Sequence, residues 1–206
     1  MPITHMFMIR LETELIQQQG RNLELQNSSK IRATQEMVVI MVIGNPYNIA
    51  VFYEEIKDWN ENSEFTNGVL LLFIDGNIFP NEILNVTLGF DLKQLSAKLE
   101  TIPTNKELFK CEMKDCFSKI YNLVYPEDWD EDGDDGYLIS PPTYRDYGYY
   151  IFAVGDGQKT RFLYAKLKYI MKESQHDLEH AKIREIVVDD DKVKKIASDL
   201  RKAGYC

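Results

Sequence analysis

Cysteine is scarce in this 206-residue chain: three residues, Cys111, Cys116 and Cys206, with spacing that suits neither a disulfide framework nor a zinc site. That paucity fits a reduced, cytoplasmic compartment. No window approaches the roughly 18 uninterrupted apolar residues of a membrane span. The apolar start of MPITHMFMIRLETELIQQQ is broken by Arg10, Glu12 and Glu14, which argues against a signal sequence. Phosphate-binding glycine loops, a dinucleotide fingerprint and a nucleophile elbow are all missing, and Gly155-Asp156-Gly157 is too short to cradle phosphate. Basic residues such as Lys166, Lys168, Lys172, Lys192, Lys194 and Lys195 alternate with acids and form no nucleic-acid track. These absences leave no cofactor, nucleic acid or membrane to expect.

What the chain has in excess is negative charge, and the excess is local. Its formal net charge is −9, and seven carboxylates lie between Glu127 and Asp135 in the segment EDWDEDGDD. The rest of the chain is close to neutral. Such a patch repels nucleic acid and anionic membranes and attracts cations or basic proteins. Hydrophobic residues (44%) and charged residues (28%) are at ordinary levels for a globular protein with a real core. Tyr (12) and Phe (10) favour strands.

Residues 1–40 carry Gln, Asn and Ser runs and lack the strand-and-turn rhythm of the rest of the chain. They read either as an extension, with the domain occupying 41–206, or as an N-terminal helix docked on that domain. From Met37 the pattern is β-rich: MVVIMVI closes at Gly44-Asn45-Pro46, and Ile49 to Trp59 predicts a second strand. Val69 to Ile74 and Asn77 to Phe79 flank Asp75-Gly76, a hairpin signature. Ile83 to Phe90 predicts another strand. Asp91 reads as the N-cap of a helix with Leu92, Leu95 and Leu99 on one stripe. A longer helix is predicted over Asn105 to Lys119. A second hairpin pairs Tyr149 to Val154 with Arg161 to Ile170, Ile186 to Val188 is a brief strand, and an amphipathic helix from about Asp190 closes the chain. Hairpins and clustered helices without strand–helix–strand alternation indicate an α+β domain with a mainly antiparallel sheet.

The acidic segment admits three readings. Asp128, Asp130, Asp132 and Gly133 have the spacing of the first half of a calcium loop, although the twelfth position falls on Ile139 rather than a glutamate. It also reads as a solvated loop, or as a patch that binds a basic protein. His176, Glu179 and His180 match the inverted zinc-protease pattern H-x-x-E-H, which would need a helix and a third ligand; an exposed histidine pair on a charged helix is the plainer reading. Cys111 and Cys116 fit the apolar stripe of their helix better than any chemistry. As protein-contact candidates the sequence offers Asp128, Asp130, Glu131, Asp132, Asp134 and Asp135 for steering. Trp129, Tyr144 and Tyr147 are the candidate packing anchors. Tyr149 and Tyr150, on a strand, are expected to be structural.

Several segments together resemble a known family. They are Met41 to Tyr47, Asp58-Trp59-Asn60, Asn67 to Leu70, Asp75 to Ile83, Ile120 to Leu123 and Glu173 to Leu178. Across roughly residues 41–200 the chain resembles the immunity protein forty-two family of bacterial polymorphic toxin systems. The resemblance implies a small cytoplasmic antidote that binds and blocks a cognate toxin domain. It supplies no catalytic residue, so the interface has to be argued from this chain's own residues.

Overall fold

A computed structural model describes residues 41–61, 63–126, 132–171 and 175–205. The expected extension, residues 1–40, lies outside them. The chain from Met41 folds as α+β, built on two antiparallel sheets.

The first sheet comprises β1 (Met41–Gly44), β2 (Ile49–Glu55), β3 (Asn67–Ile74) and β4 (Asn77–Phe79) in that order, with β5 (Val86–Thr87) also pairing with β3. The β3–β4 turn is the expected Asp75-Gly76, with φ of 51° and 72°, which glycine and aspartate tolerate better than other residues. The second sheet has the order β10-β7-β6, from β6 (Tyr149–Gly155), β7 (Lys159–Lys166) and β10 (Arg184–Asp189). A small ribbon joins β8 (Tyr169–Ile170) to β9 (Gln175–His176).

Alternation along β6 explains how the layers are arranged. Tyr149, Ile151 and Ala153 face one core, while Tyr150, Phe152 and Val154 face another, and all are buried. The larger core lies between the two sheets. It takes in Leu92, Leu95 and Leu99 of α1 (Leu88–Glu100) and Val193, Ile196 and Leu200 of α5 (Asp190–Leu200). The second core is closed by α2 (Lys106–Lys110) and α3 (Met113–Val124) through Leu108, Cys116, Phe117 and Ile120. A short helix α4 (Pro142–Asp146) precedes β6.

Five local predictions shift. The second strand, expected through Trp59, ends at Glu55, because Trp59 N turns back to Ile56 O and Lys57–Trp59 forms a single 3-10 turn. The single helix expected over 105–119 is two helices. Glu112 accepts hydrogen bonds from Lys114 N (2.8 Å) and Asp115 N (3.4 Å), capping α3 and ending the run from α2. Asp91 is not the N-cap of α1: the helix starts at Leu88, and the fully buried Asp91 carboxylate accepts from Thr143 Oγ1 at 2.7 Å and Thr143 N at 3.3 Å. The strand expected at 83–90 shrinks to Val86–Thr87, because Leu88 already belongs to that helix. The strand expected through Ile170 stops at Lys166, and Tyr169–Ile170 pairs with β9 instead.

Candidate functional site

Of the acidic segment, Asp132, Asp134 and Asp135 are described and exposed; Asp128, Trp129, Asp130 and Glu131 lie outside the described residues. The downstream end is firmly seated. Asp134 N donates to Leu123 O (2.8 Å), and Asp134 Oδ1 accepts from Gly136 N (3.0 Å). Gly133 passes so close to the end of α3 that a Cβ there would meet Val124 O at 2.2 Å, so only glycine fits. Lys98 of α1 donates to Asp135 O (2.7 Å) and pairs with its carboxylate at 3.0 Å. Beyond it, Tyr137, Leu138 and Ile139 enter the cores. Ile139, the twelfth position counted from Asp128, is therefore a core residue and offers nothing to a calcium ion.

The two proposed tyrosine anchors part company. Tyr147 is 53% exposed at the end of α4, as a contact residue must be. Tyr144 is 0% exposed, and its hydroxyl donates to Leu70 O at 2.9 Å. Burial holds its hydroxyl well above the ordinary tyrosine pKa. Tyr144 is thus a core residue that fixes α4 on β3, and it is unavailable to a partner. The two tyrosines stand three residues apart, and the short helix α4 turns the first inward and leaves the second at its C-terminal end. Tyr149 and Tyr150 are both buried, in keeping with their strand positions.

The H-x-x-E-H stretch is not helical. His176 lies in β9 and His180 beyond it in a turn, so nothing stacks the two on one helical face. Both ring nitrogens of His176 are taken: Tyr121 Oη is 2.8 Å from Nδ1 and Tyr150 Oη is 3.3 Å from Nε2. A neutral imidazole accepts from one hydroxyl and donates to the other. Burial keeps its pKa below the ordinary histidine value. His180 is exposed and bonded to Asp177 at 3.1 Å. Among the described residues, no group of three or more His, Cys, Asp or Glu could hold a metal. Burial also pushes the Cys116 thiol up to about 11, far from a reactive thiolate.

A further surface escaped the sequence reading. From Glu55 at the end of β2, the chain leading to β3 carries the exposed carboxylates Glu55, Asp58, Glu61 and Glu64 and reaches Phe65, which is 66% exposed. Asn60 closes this loop: its Nδ2 donates to Ile56 O and Asn67 O at 2.8 Å each, and its Oδ1 accepts from Asn67 N at 2.6 Å. Leu88 N donates to Thr66 O (2.9 Å), bringing the start of α1 alongside. Phe90, 53% exposed, thereby joins Phe65 in lining a groove of about 530 Å³. The available signal was the three-residue spacing of those four acids just ahead of a phenylalanine.

Against known proteins, the sequence profile described as Immunity protein 42 matches residues 41–203. Among solved structures, the fold is similar to a crystal structure of CdiI from Burkholderia dolosa AUO158. The TM-score is 0.66 and the identity 24%, over 80% of this chain and 100% of that one. No curated protein sequence matches the chain.

Proposed function

This chain belongs to the immunity protein 42 family, and from that premise we propose that it binds and neutralises a cognate bacterial toxin domain, with no chemistry of its own. The observation that carries the reading is the match over residues 41–203, which takes in nearly all of the described fold. The charge distribution supports it. Asp132, Asp134 and Asp135 stand in solvent at the seated end of a run of seven carboxylates. A surface of that sign steers a basic protein into fast association. The toxin we have in mind is a nuclease whose basic substrate cleft is occupied by these carboxylates. Tyr147, exposed at the end of α4, is the proposed packing anchor, and Trp129 is proposed for the same role from the sequence alone. The antidote would act in the cytoplasm, where such a toxin meets its substrate; among the described residues no helix is long and apolar enough to cross a membrane.

Co-expression with the toxin domain encoded beside this gene tests the proposal. Cells should survive, and the two proteins should co-purify, less well in high salt. Changing Asp128, Asp130, Glu131, Asp132, Asp134 and Asp135 to their amides should slow association and flatten its salt dependence. Asparagine still accepts the Gly136 hydrogen bond at position 134, so the loop end stays seated. Toxicity without a complex would refute the antidote reading. Unchanged association of the amide variant in low salt would refute the role of the loop.

A further inference from the structure

We infer that the groove between Phe65 and Phe90 is a second contact site for the toxin, and that it receives an apolar side chain carried on a lysine- or arginine-bearing segment. The inference rests on the reading of this protein as a toxin-binding antidote.

Single exposed apolar residues are unremarkable on any protein surface, but two exposed phenylalanines lining one groove are not. Phe65 and Phe90 line it together with Glu64, Thr66, Thr87 and Gly89. Its volume of about 530 Å³ accommodates a large side chain and its neighbours. Neither ring is placed by chance. Pairing of Asn67 with Thr87 and Gly68 with Val86 holds the two segments side by side. At Gly68 a Cβ would meet the backbone oxygen of Glu54 on β2 at 2.1 Å, so the close approach of β2 requires glycine there, and Leu88 Cδ1 of α1 lies over the same position at 2.6 Å. Ser63 Oγ donates to Phe65 O (2.8 Å) and accepts from Phe65 N (3.1 Å), fixing the backbone that presents the ring. A contact loop ordered in advance loses little entropy on binding.

Charge selects the occupant. Asp58, Glu61 and Glu64 are exposed on the same loop and Glu55 at the end of β2, against one cation, Lys57. A membrane surface or nucleic acid would be repelled, and a second copy of this acidic chain would bring like charges together. A basic segment with an apolar anchor satisfies both features of the groove. The site is also continuous with the acidic segment. Phe90, Gln94 and Lys98 recur every fourth residue along α1 and so share one side of the helix, spanning about 12 Å. Lys98 holds Asp135 at the far end. One toxin surface can therefore cover the groove and the carboxylates together.

The test uses the full chain and a catalytically inactivated form of the toxin domain encoded beside it, with binding kinetics, size-exclusion chromatography and thermal unfolding. Phe65→Ser/Phe90→Ser should raise Kd at least ~30-fold, mostly by faster dissociation, with the unfolding midpoint retained because both rings are exposed. Glu61→Lys/Glu64→Lys should slow association by about tenfold in low salt and decide the matter if the serine variant unfolds early. If the wild-type complex is tight and both variants bind within twofold of it, the groove is not a contact and the antidote reading stands. If the wild type neither binds nor protects, that reading falls and takes the groove with it. A wild-type dimer that becomes a monomer in the serine variant would assign the groove to a second copy and overturn the proposal.

Discussion

Arg161 holds the second core together, and its replacement should be the costliest single polar change in the domain. The residue is 5% exposed on β7. Its Nη1 donates to Phe109 O (2.9 Å) and Cys111 O (2.6 Å), while Nε donates to Glu185 Oε2 at 2.8 Å and Nη2 reaches the same oxygen. The two carbonyls sit where α2 ends, and helix ends leave carbonyls without intrahelical donors. Arg161→Met strips both of a charged donor, at about 1–3 kcal/mol each. Relief from burying a guanidinium returns part of that. Glu185, 36% exposed on its side chain, can turn to water and adds little. The net expectation is a loss of about 3 kcal/mol, measured as a shift in urea midpoint at constant m-value. Arg161→Lys should lose about half as much, since one ammonium cannot serve both carbonyls and the carboxylate. Glu185→Gln should cost about 1 kcal/mol or less. If Glu185→Gln destabilises as much as Arg161→Met, the ion pair and not the carbonyl clamp dominates, and the reasoning fails. A loss below about 1 kcal/mol for Arg161→Met would refute it equally.

Tyr144→Phe should lower stability by about 1–2 kcal/mol, the cost of depriving Leu70 O of its buried donor, and leave toxin affinity within twofold. A loss of affinity at full stability would instead return Tyr144 to the interface. Asp91 gives a pH prediction of unusual sign. Burial raises its pKa from the ordinary 3.8, despite the opposing hydrogen bonds from Thr143, so the native state keeps that proton to higher pH than the unfolded chain does. Its contribution to stability therefore falls as pH rises from about 3.8 through the raised native value, and is constant above it. Asp91→Asn should gain stability relative to wild type across that window in denaturation series from pH 3 upward; a pH-independent difference would contradict the assignment.

How far the sequence went depended on whether a signal was local. The Asp75-Gly76 hairpin, the leucine stripe of α1 and the closing amphipathic helix were legible because turn chemistry and periodicity act over a few residues. The division of the 105–119 helix was not, because it depends on Glu112 serving as a cap, and a glutamate there reads equally well as helix interior. The reading of His176 and His180 as an exposed pair on a charged helix failed at His176 for a related reason: five residues carry the local pattern, but the tyrosines that claim His176, at positions 121 and 150, are distant in sequence. At the candidate site, charge was visible at once, since it is a property of composition. The groove lined by Phe65 and Phe90 was not, because the two segments are brought together only through the pairing of β3 with β5.

The Asn60 closure separates frame from content. Asn60, Ser63 and Asn67 set the backbone of the loop, while Glu61, Glu64 and Phe65 project from it into solvent. Replacing the projecting side chains leaves the frame's hydrogen bonds in place. An antidote gene that must follow a changing adversary could therefore rewrite its specificity a few codons at a time, without refolding the scaffold. The same division makes residues 61, 64 and 65 a compact cassette for laboratory selection of antidotes with new targets.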